Sequence, residues 1–318
     1  MKVLLLVQKE QRVILDALYQ AIAEQCDCDL RWLDDDEQAN LKRYFREHVE
    51  LARYERIVLF LRFKKQLKQV GFIRTLPNLV ELEHDAYQNY IPCKYTGKFS
   101  AYYQRMPWVR VLCSGAEVTR RLQQENIDAV FAPKGYDAAG LWNTGAARDI
   151  ELGFVGSLKS VAYSGRKQFL EELGKVESLT VTRTESGDEY REMLNRIRFF
   201  VSADVGMGEY MIKNFEAMAC GCVLFAYDQG SIENQALGFI DMQNIVLYSS
   251  IDELRQKLAL LRQNSGLAER IALEGQTLAQ TRYSFQALGR HIVKALEAPL
   301  RQRKPVDWRD RWLGWFQH

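Results

Sequence analysis

Short apolar runs alternate with amphipathic stretches along nearly the whole chain. In the first half, strand-like runs such as Val3–Val7, Arg56–Leu61 and Arg110–Cys113 are separated by stretches with helical spacing, such as Ala116–Glu125. A strand pattern that alternates with a helix pattern predicts parallel strands joined by helices that cover the sheet. The carboxyl ends of such strands are where α/β proteins place their ligands.

A second alternating series starts at Leu152–Ser157 and includes strand-like runs at Phe199–Ala203 and Cys222–Ala226. Three helical stretches close this series, namely Ile251–Gln263, Leu267–Gln280 and Ser284–Leu296. Two series of this kind predict an α/β protein with two Rossmann-like domains in tandem.

Residues 132–150 contain Pro and Gly but few large apolar residues, which is typical of a linker. We therefore place the first domain at 1–135 and the second at 150–297, followed by a basic and aromatic tail at 298–318.

The stretch Gly206–Cys222 holds the strongest candidate site. It follows a predicted strand, opens with two glycines one residue apart and becomes an amphipathic helix that contains Glu216. Because the first turn of a helix leaves N–H groups unpaired, this arrangement favours a bound phosphate, and the carboxylate further along the helix can accept ribose hydroxyls. The alternative is an ordinary strand–loop–helix unit, in which Glu209 and Lys213 form a helix-surface ion pair and Glu216 is solvated.

A second phosphate candidate is the turn after the strand at Leu152. Gly156 and Ser157 offer backbone N–H groups, and Lys159 and Arg166 follow as cations that suit a diphosphate. The alternative is an ordinary strand-to-helix turn. At the start of the linker, Lys134–Asp137 is either a hinge that touches a ligand or a simple turn.

Polar groups cluster directly after the predicted strand that ends at Leu82. The segment Glu81–Tyr90 brings several acid–base side chains to the carboxyl end of that strand. His84 is a candidate general base that accepts a hydroxyl proton, with Asp85 or Glu83 orienting its ring. The alternative is a structural histidine.

The amino-acid composition limits the classes of partner that we expect the chain to bind. The 318 residues carry a net charge of only +2, which gives no support to nucleic-acid binding through overall charge. Four scattered histidines and closely spaced Cys-x-Cys pairs predict no metal site. No apolar run approaches the roughly 20 residues that span a bilayer, so we expect a cytoplasmic protein. In the tail, basic residues interleave with tryptophans over 301–318, which fits either an anionic membrane surface or packing onto the first domain.

Several segments resemble, in the same order, the glycosyl transferases group 1 family, whose members have the GT-B fold of two Rossmann-like domains facing a central cleft. The matching segments are LGFVGS at Leu152–Ser157, Arg166, Tyr190–Asn195, KNFEAMACGCVLF at Lys213–Phe225, Asn244–Tyr248, Asp252–Leu254 and Ile271–Gly275. The resemblance covers roughly residues 150–297. It implies a donor-binding second domain, with Glu216 on the ribose and Lys213 and Asn214 near the phosphates, and an acceptor-binding first domain.

One position departs from the family. Many members carry a further Glu eight residues before the ribose-binding one, whereas this chain has Gly208 there and Glu209 one residue later. We retain Gly208 and Glu209 as candidate donor-binding residues without transferring that Glu's role to Glu209. The first half matches the family only in general pattern, so the assignment of His84 and Asp85 rests on the residues alone.

These features predict a metal-independent, hexosyltransferase-like glycosyltransferase without a cofactor. Its co-substrate would be a nucleoside-diphosphate sugar, and its acceptor a cell-envelope glycan or glycolipid, as in lipopolysaccharide synthesis. The tail would make it peripheral on the inner face of the membrane. Two alternatives remain: a nucleotide- or sugar-binding protein of the same fold without turnover, and a sugar epimerase, which needs no acceptor.

Overall fold

A computed structural model of the protein describes residues 1–9, 15–158 and 164–302. Within them, the first half of the chain forms a sheet of six parallel strands in the order β2-β1-β3-β4-β5-β6. These strands are β1 (Lys2–Gln8), β2 (Asp27–Leu33), β3 (Arg56–Phe60), β4 (Leu79–Glu83), β5 (Arg110–Cys113) and β6 (Asp128–Phe131).

The second half forms a separate sheet of five parallel strands in the order β11-β10-β9-β7-β8. These strands are β7 (Ile150–Val155), β8 (Thr180–Thr182), β9 (Ile197–Ser202), β10 (Val223–Tyr227) and β11 (Val246–Tyr248).

Helices connect and cover the strands of both sheets. The helices of the first half are α1 (Asp16–Ala23), α2 (Asp35–Ala39), α3 (Leu41–His48), α4 (Phe63–Leu67), α5 (Val70–Ile73), α6 (Lys98–Gln104) and α7 (Ala116–Gln124). Those of the second half are α8 (Ser164–Leu173), α9 (Asp188–Arg196), α10 (Ile212–Ala219), α11 (Ser231–Leu237), α12 (Ile251–Gln263), α13 (Ser265–Leu278) and α14 (Phe285–Glu297). The predicted α/β architecture of two Rossmann-like domains is confirmed.

Strand β1 shows why the strands read as unbroken apolar runs. Leu4 and Leu6 pack into a hydrophobic cluster on one face of the first sheet. Val3, Leu5 and Val7 pack into a second cluster on the other face, and all five side chains are fully buried. A central parallel strand with helices on both faces has no side turned to solvent, so its sequence does not alternate.

The charged stretch Glu37–Tyr54 has the sequence pattern of one helix, but in the structure it is broken into two helices and a turn. At Asn40 the backbone leaves the helical region, with φ −130°, and separates α2 from α3. The Asn40 amide donates back to the carbonyl of Asp36 at 3.0 Å, a local bond with which asparagine competes against helix continuation. The remainder is a 3₁₀ turn, Leu51–Arg53. Helices α6 and α11 were not predicted.

The chain passes between the domains twice, and the two passages pair with each other. Tyr136 donates its backbone N–H to the carbonyl of Tyr283, and Phe285 donates to the carbonyl of Tyr136, both at 2.9 Å. The second passage includes a π-helical turn over Ala279–Tyr283, a distortion often found at functional sites. The connection is therefore a pair of hydrogen-bonded segments and not a single linker.

Helix α14, which the sequence analysis assigns to the second domain, packs against α1 of the first. Gly289 permits this contact, because a Cβ there would lie 2.5 Å from the carbonyl oxygen of Ala21. Arg56 and Arg110, at the starts of β3 and β5, donate to backbone carbonyls at the end of α14 and just beyond it. Cations at a helix C-terminus satisfy its free carbonyls and its dipole, so the last helix is fastened to the first domain.

Candidate active site between the domains

Loops that follow the carboxyl ends of strands in both sheets meet between the domains. On the first domain these are the residues after β4, β5 and β6, and on the second those after β9 and β10. Direct contacts join them: Ser114 donates to Glu209, and the backbone N–H of Glu117 donates to Glu233. In open α/β sheets this edge is where ligands bind.

A buried ion cluster spans the two domains. Glu209 of the second domain forms an ion pair with Lys134 of the first, with side chains only 1% and 5% exposed. Ser114 lies between them, donating to Glu209 Oε2 at 3.1 Å and accepting from Lys134 Nζ at 3.0 Å. Burial raises the pKa of Glu209, and the charge of Lys134 is the strongest influence that opposes it. We call Ser114, Lys134 and Glu209 the interdomain cluster.

The alternative in which Glu209 forms a helix-surface pair with Lys213 is wrong. Helix α10 begins only at Ile212, and Glu209 lies in the loop before it. Gly206 and Gly208, both with φ +73°, give this loop a backbone path that other residues rarely adopt. The loop turns Glu209 toward the first domain, where Lys134 is its partner.

A second carboxylate crosses between the domains beside this cluster. Glu233 on α11 is fully buried, and its Oε1 accepts the backbone N–H of Glu117 in the first turn of α7 at 2.9 Å. Its Oε2 has no hydrogen-bond partner among the described residues. Burial raises the pKa of Glu233 to about 8, although the backbone N–H of Glu117 opposes the shift. The second domain thus caps a helix of the first.

Glu216, Lys213 and Tyr190 form a compact group on the second domain, which we call the donor-side cluster. The Tyr190 hydroxyl donates to Glu216 Oε2 at 2.6 Å and lies 3.3 Å from Lys213 Nζ. Lys213 Nζ also lies 4.7 Å from the centroid of the Tyr190 ring. Burial raises the pKa of Glu216, while Lys213 and Tyr190 oppose the shift. Glu216 is therefore half-buried and held, not simply solvated.

Gly156 adjoins this cluster. A Cβ at Gly156 would lie 2.7 Å from Lys213 Cε, so the absence of a side chain makes room for the lysine. Burial lowers the pKa of Lys213, as expected for a cation without bulk solvent around it. The two predicted phosphate-binding elements, the turn after β7 and the start of α10, are thus adjacent. Ser157 follows Gly156 in that turn, while Lys159 lies outside the described residues.

Arg166 and Asn214, both predicted near the phosphates, meet at a buried carboxylate. Asp204 is 2% exposed and forms an ion pair with Arg166 through Oδ1. Its Oδ2 accepts from the Asn214 amide at 2.8 Å, from the Met211 backbone N–H at 3.2 Å and from the Ser202 hydroxyl at 3.1 Å. Asp204 thus fixes the loop between β9 and α10. The contact of Arg166 and Asn214 with a donor stays a prediction.

His84 lies against the aromatic ring of Phe60, with ring centroids 4.9 Å apart in an edge arrangement. Burial, with the nearby charge of Lys134, lowers the pKa of His84 to about 3, so the ring is neutral at pH 7. Glu83 Oε1 accepts the backbone N–H of Asp85 at 2.7 Å, and Asp85 itself is exposed. Among the described contacts, neither carboxylate is hydrogen-bonded to the imidazole, so the expected orientation of His84 by an acidic neighbour is not observed.

Four residues of the cleft received no role from the sequence: Ser114, Lys134, Tyr190 and Glu233. Lys134 stood out only as part of a hinge, and Tyr190 only as part of a matching segment. Their partners lie 75 and 26 residues away along the chain, beyond the reach of a local pattern.

The described part of the chain contains no group of three or more His, Cys, Asp or Glu side chains that would hold a metal ion. Nor is any helix within it long and apolar enough to cross a bilayer.

Two Rossmann-like domains whose loops meet in one cleft, with a phosphate-type turn and a helix N-terminus on the second, define the class: the chain has the architecture of a GT-B glycosyltransferase. Comparison with known proteins agrees. Residues 151–294 match the model of a family described as glycosyl transferase-like. The resemblance to GT-B glycosyltransferases is thereby confirmed.

Several solved structures match more than nine-tenths of the chain in fold. HepE of Anabaena, in complex with UDP and glucose, has a TM-score of 0.69 and 13% identity, covering 94% of this chain and 100% of that one. Sucrose-phosphate synthase of Thermosynechococcus elongatus has a TM-score of 0.68 and 10% identity, covering 92% of this chain and 98% of that one. The T4 phage β-glucosyltransferase has a TM-score of 0.61 and 13% identity, covering 94% of this chain and 100% of that one. At these identities the likeness shows the fold. No curated protein matches the sequence.

Proposed function

We propose that the protein is a glycosyltransferase that takes a nucleoside-diphosphate sugar as donor. The observation that carries this proposal is the donor-side cluster, in which a lysine, a tyrosine and a glutamate lie together beside Gly156. A carboxylate suits ribose hydroxyls, and a lysine at a helix N-terminus suits a diphosphate. That HepE has been solved with UDP and glucose supports this choice of donor.

The geometry suits a reaction without a metal ion. As the bond to the sugar breaks, negative charge develops on the departing diphosphate. Lys213 and the first turn of α10 would stabilise that charge. Burial lowers the pKa of Lys213, and a bound diphosphate would favour its charged form again. A bound diphosphate would thus counteract the effect of burial on the pKa of Lys213.

On the first domain, His84 is our candidate for activating the acceptor hydroxyl, with Asp85 nearby. A neutral imidazole can accept a proton, although the low pKa of His84 makes it a weak base. We propose a cell-envelope glycan or glycolipid as the acceptor. The basic and aromatic tail, most of which lies outside the described residues, would contact an anionic membrane on its cytoplasmic side.

One observation favours a second candidate function. Glu209, the acidic residue nearest to the family's further Glu position, is paired with Lys134 instead of lying on the donor side. A protein that binds nucleotide sugars without turnover would have this property. An epimerase would instead release a free, altered sugar without any acceptor.

A panel of uridine and guanosine diphosphate sugars tests the proposal. We expect transfer or slow hydrolysis of one donor by the intact chain. Glu216→Ala should weaken donor binding by about tenfold or more, since a hydrogen bond to a charged group contributes about 1.5–3 kcal/mol. Donor affinity unchanged in Glu216→Ala would refute the site. Tight donor binding without product would select the binding protein, and a free epimeric sugar would select the epimerase.

A further inference from the structure

We propose that Tyr190 is the positioning residue that makes the donor site selective for a ribonucleotide. This inference rests on the proposed function, because it takes Glu216 as the ligand of the donor ribose. Tyr190 lies on α9, whereas Glu216 lies on α10. The tyrosine therefore orients its partner from a different element of the domain.

The two oxygens of Glu216 have different surroundings. Oε2 accepts the Tyr190 hydroxyl at 2.6 Å, a short bond of the kind that a charged acceptor forms. Oε1 has no hydrogen-bond partner among the described residues, and the side chain is only half-buried. With one oxygen held, the carboxylate cannot rotate freely, and Oε1 is the oxygen left for a ligand hydroxyl. A fixed acceptor loses less entropy on binding than a mobile one.

Tyr190 also touches the residue on the phosphate side. Lys213 Nζ lies 3.3 Å from the Tyr190 hydroxyl and 4.7 Å from the centroid of its ring. The hydroxyl thus accepts from the lysine and donates to the glutamate, which joins both candidate donor ligands in one chain of hydrogen bonds. Tyr190→Phe removes this hydroxyl and keeps the ring on which the ammonium group rests. The variant therefore separates the positioning of Glu216 from general packing.

Calorimetry with nucleotides that differ only in their ribose hydroxyls tests the role. We would titrate the intact chain with UDP and GDP, and then with the 2′,3′-dideoxy form of whichever binds. Wild type should bind the ribonucleotide about tenfold or more tightly than the dideoxynucleotide, because the latter cannot donate to Glu216. Tyr190→Phe should reduce this ratio to about threefold or less, because the lost positioning of Glu216 weakens only the ribonucleotide, whereas the lost bond to Lys213 affects both nucleotides alike.

Two further variants complete the design. Glu216→Gln should lower the same ratio, as it removes the charged acceptor itself. Tyr248→Phe is the matched control, because it also removes a buried hydroxyl of the second domain, one that donates to the carbonyl of Ser202 at 2.9 Å. It should leave the ratio at its wild-type value while costing comparable stability.

The outcomes separate this inference from the proposed function. If neither UDP nor GDP binds to wild type, the proposed function fails and the inference with it. If Glu216→Gln lowers the ratio but Tyr190→Phe keeps the wild-type value, the donor site stands and the positioning role is overturned. An equal loss in Tyr248→Phe and Tyr190→Phe would assign the effect to packing and likewise overturn it.

Discussion

The buried pair between Lys134 and Glu209 gives a quantitative test of how the two domains are held together. Lys134→Met keeps most of the length of the side chain and removes its charge. Glu209 then stays buried without its cation, and Lys134 is the strongest influence that opposes the raised pKa of Glu209. We therefore expect the Glu209 carboxyl to be protonated in the folded variant at neutral pH.

The cost of that protonation sets the magnitude. A carboxyl with an unfolded pKa of about 4.3 loses about 1.36 kcal/mol for each pH unit at which the folded state keeps it protonated. Relative to wild type the penalty is thus at most about 4 kcal/mol at pH 7 and about 1 kcal/mol at pH 5, because the raised pKa of Glu209 in wild type already includes part of this cost. The sign follows from the raised folded pKa, since the unfolded chain releases the proton first and stability falls as pH rises. The value at pH 7 lies within the roughly 3–5 kcal/mol reported for breaking buried pairs.

Urea unfolding at pH 5 and pH 7 measures this stability penalty. The proteins compared are wild type, Lys134→Met and the double variant Lys134→Met/Glu209→Gln. The quantity compared is each variant's difference from wild type, because burial also raises the pKa values of Glu83 and Glu233, which all three proteins contain. The double variant should recover most of the loss at pH 7, since Ser114 can hydrogen-bond to the new amide. A penalty of equal size at both pH values, or a double variant no more stable than Lys134→Met at pH 7, would refute the reasoning.

Two further predictions concern Glu233 and the tail. Glu233→Gln keeps an oxygen for the N–H of Glu117 but removes a carboxyl whose pKa burial raises to about 8. Such a carboxyl destabilises the folded state increasingly between about pH 4.3 and its folded pKa. The free energy of unfolding of the variant, relative to that of wild type, should therefore rise from pH 5 to pH 8 and then level off. Profiles of unfolding free energy against pH that run parallel for the two proteins would contradict this prediction. Removal of residues 303–318 should weaken cosedimentation with anionic phospholipid vesicles by at least about tenfold, because basic residues near such a surface contribute about 1 kcal/mol each. Equal binding by the full-length and truncated chains would exclude the membrane role.

The fold could be predicted from the sequence where local physics decides. The strand Arg110–Cys113 has the predicted bounds, because it is a short apolar run followed by a clear helix pattern. The place of α14 could not be predicted in this way. Its amphipathic pattern requires a buried face, but the pattern does not specify which domain supplies the contact. Gly289, whose missing side chain admits the backbone of α1, is the residue that decides it.

The candidate site likewise has parts that a local sequence pattern predicts and parts that it does not. Glu216 and the glycine loop could be predicted because a strand, a loop and a helix N-terminus follow one another along the chain. The partner of Glu209 could not, since spacing along a helix favoured Lys213, and the loop geometry set by two glycines instead turns the carboxylate to Lys134. A contact between residues 75 positions apart depends on how the two domains pack, and a local sequence pattern carries no information about that packing.

Asp204 joins the two parts of the site that the sequence treated separately. Its Oδ2 accepts the backbone N–H of Met211, at the end of the loop that carries Glu209, and the amide of Asn214, in the first turn of α10. The loop that docks on the first domain and the helix that carries Lys213 are thus tied to one buried carboxylate. The contact between the domains and the first turn of α10 are therefore connected through one loop and one buried carboxylate. Glu209, one residue after Gly208, is linked to the donor side only by this connection, because among the described residues it forms no hydrogen bond with Lys213, Tyr190 or Glu216.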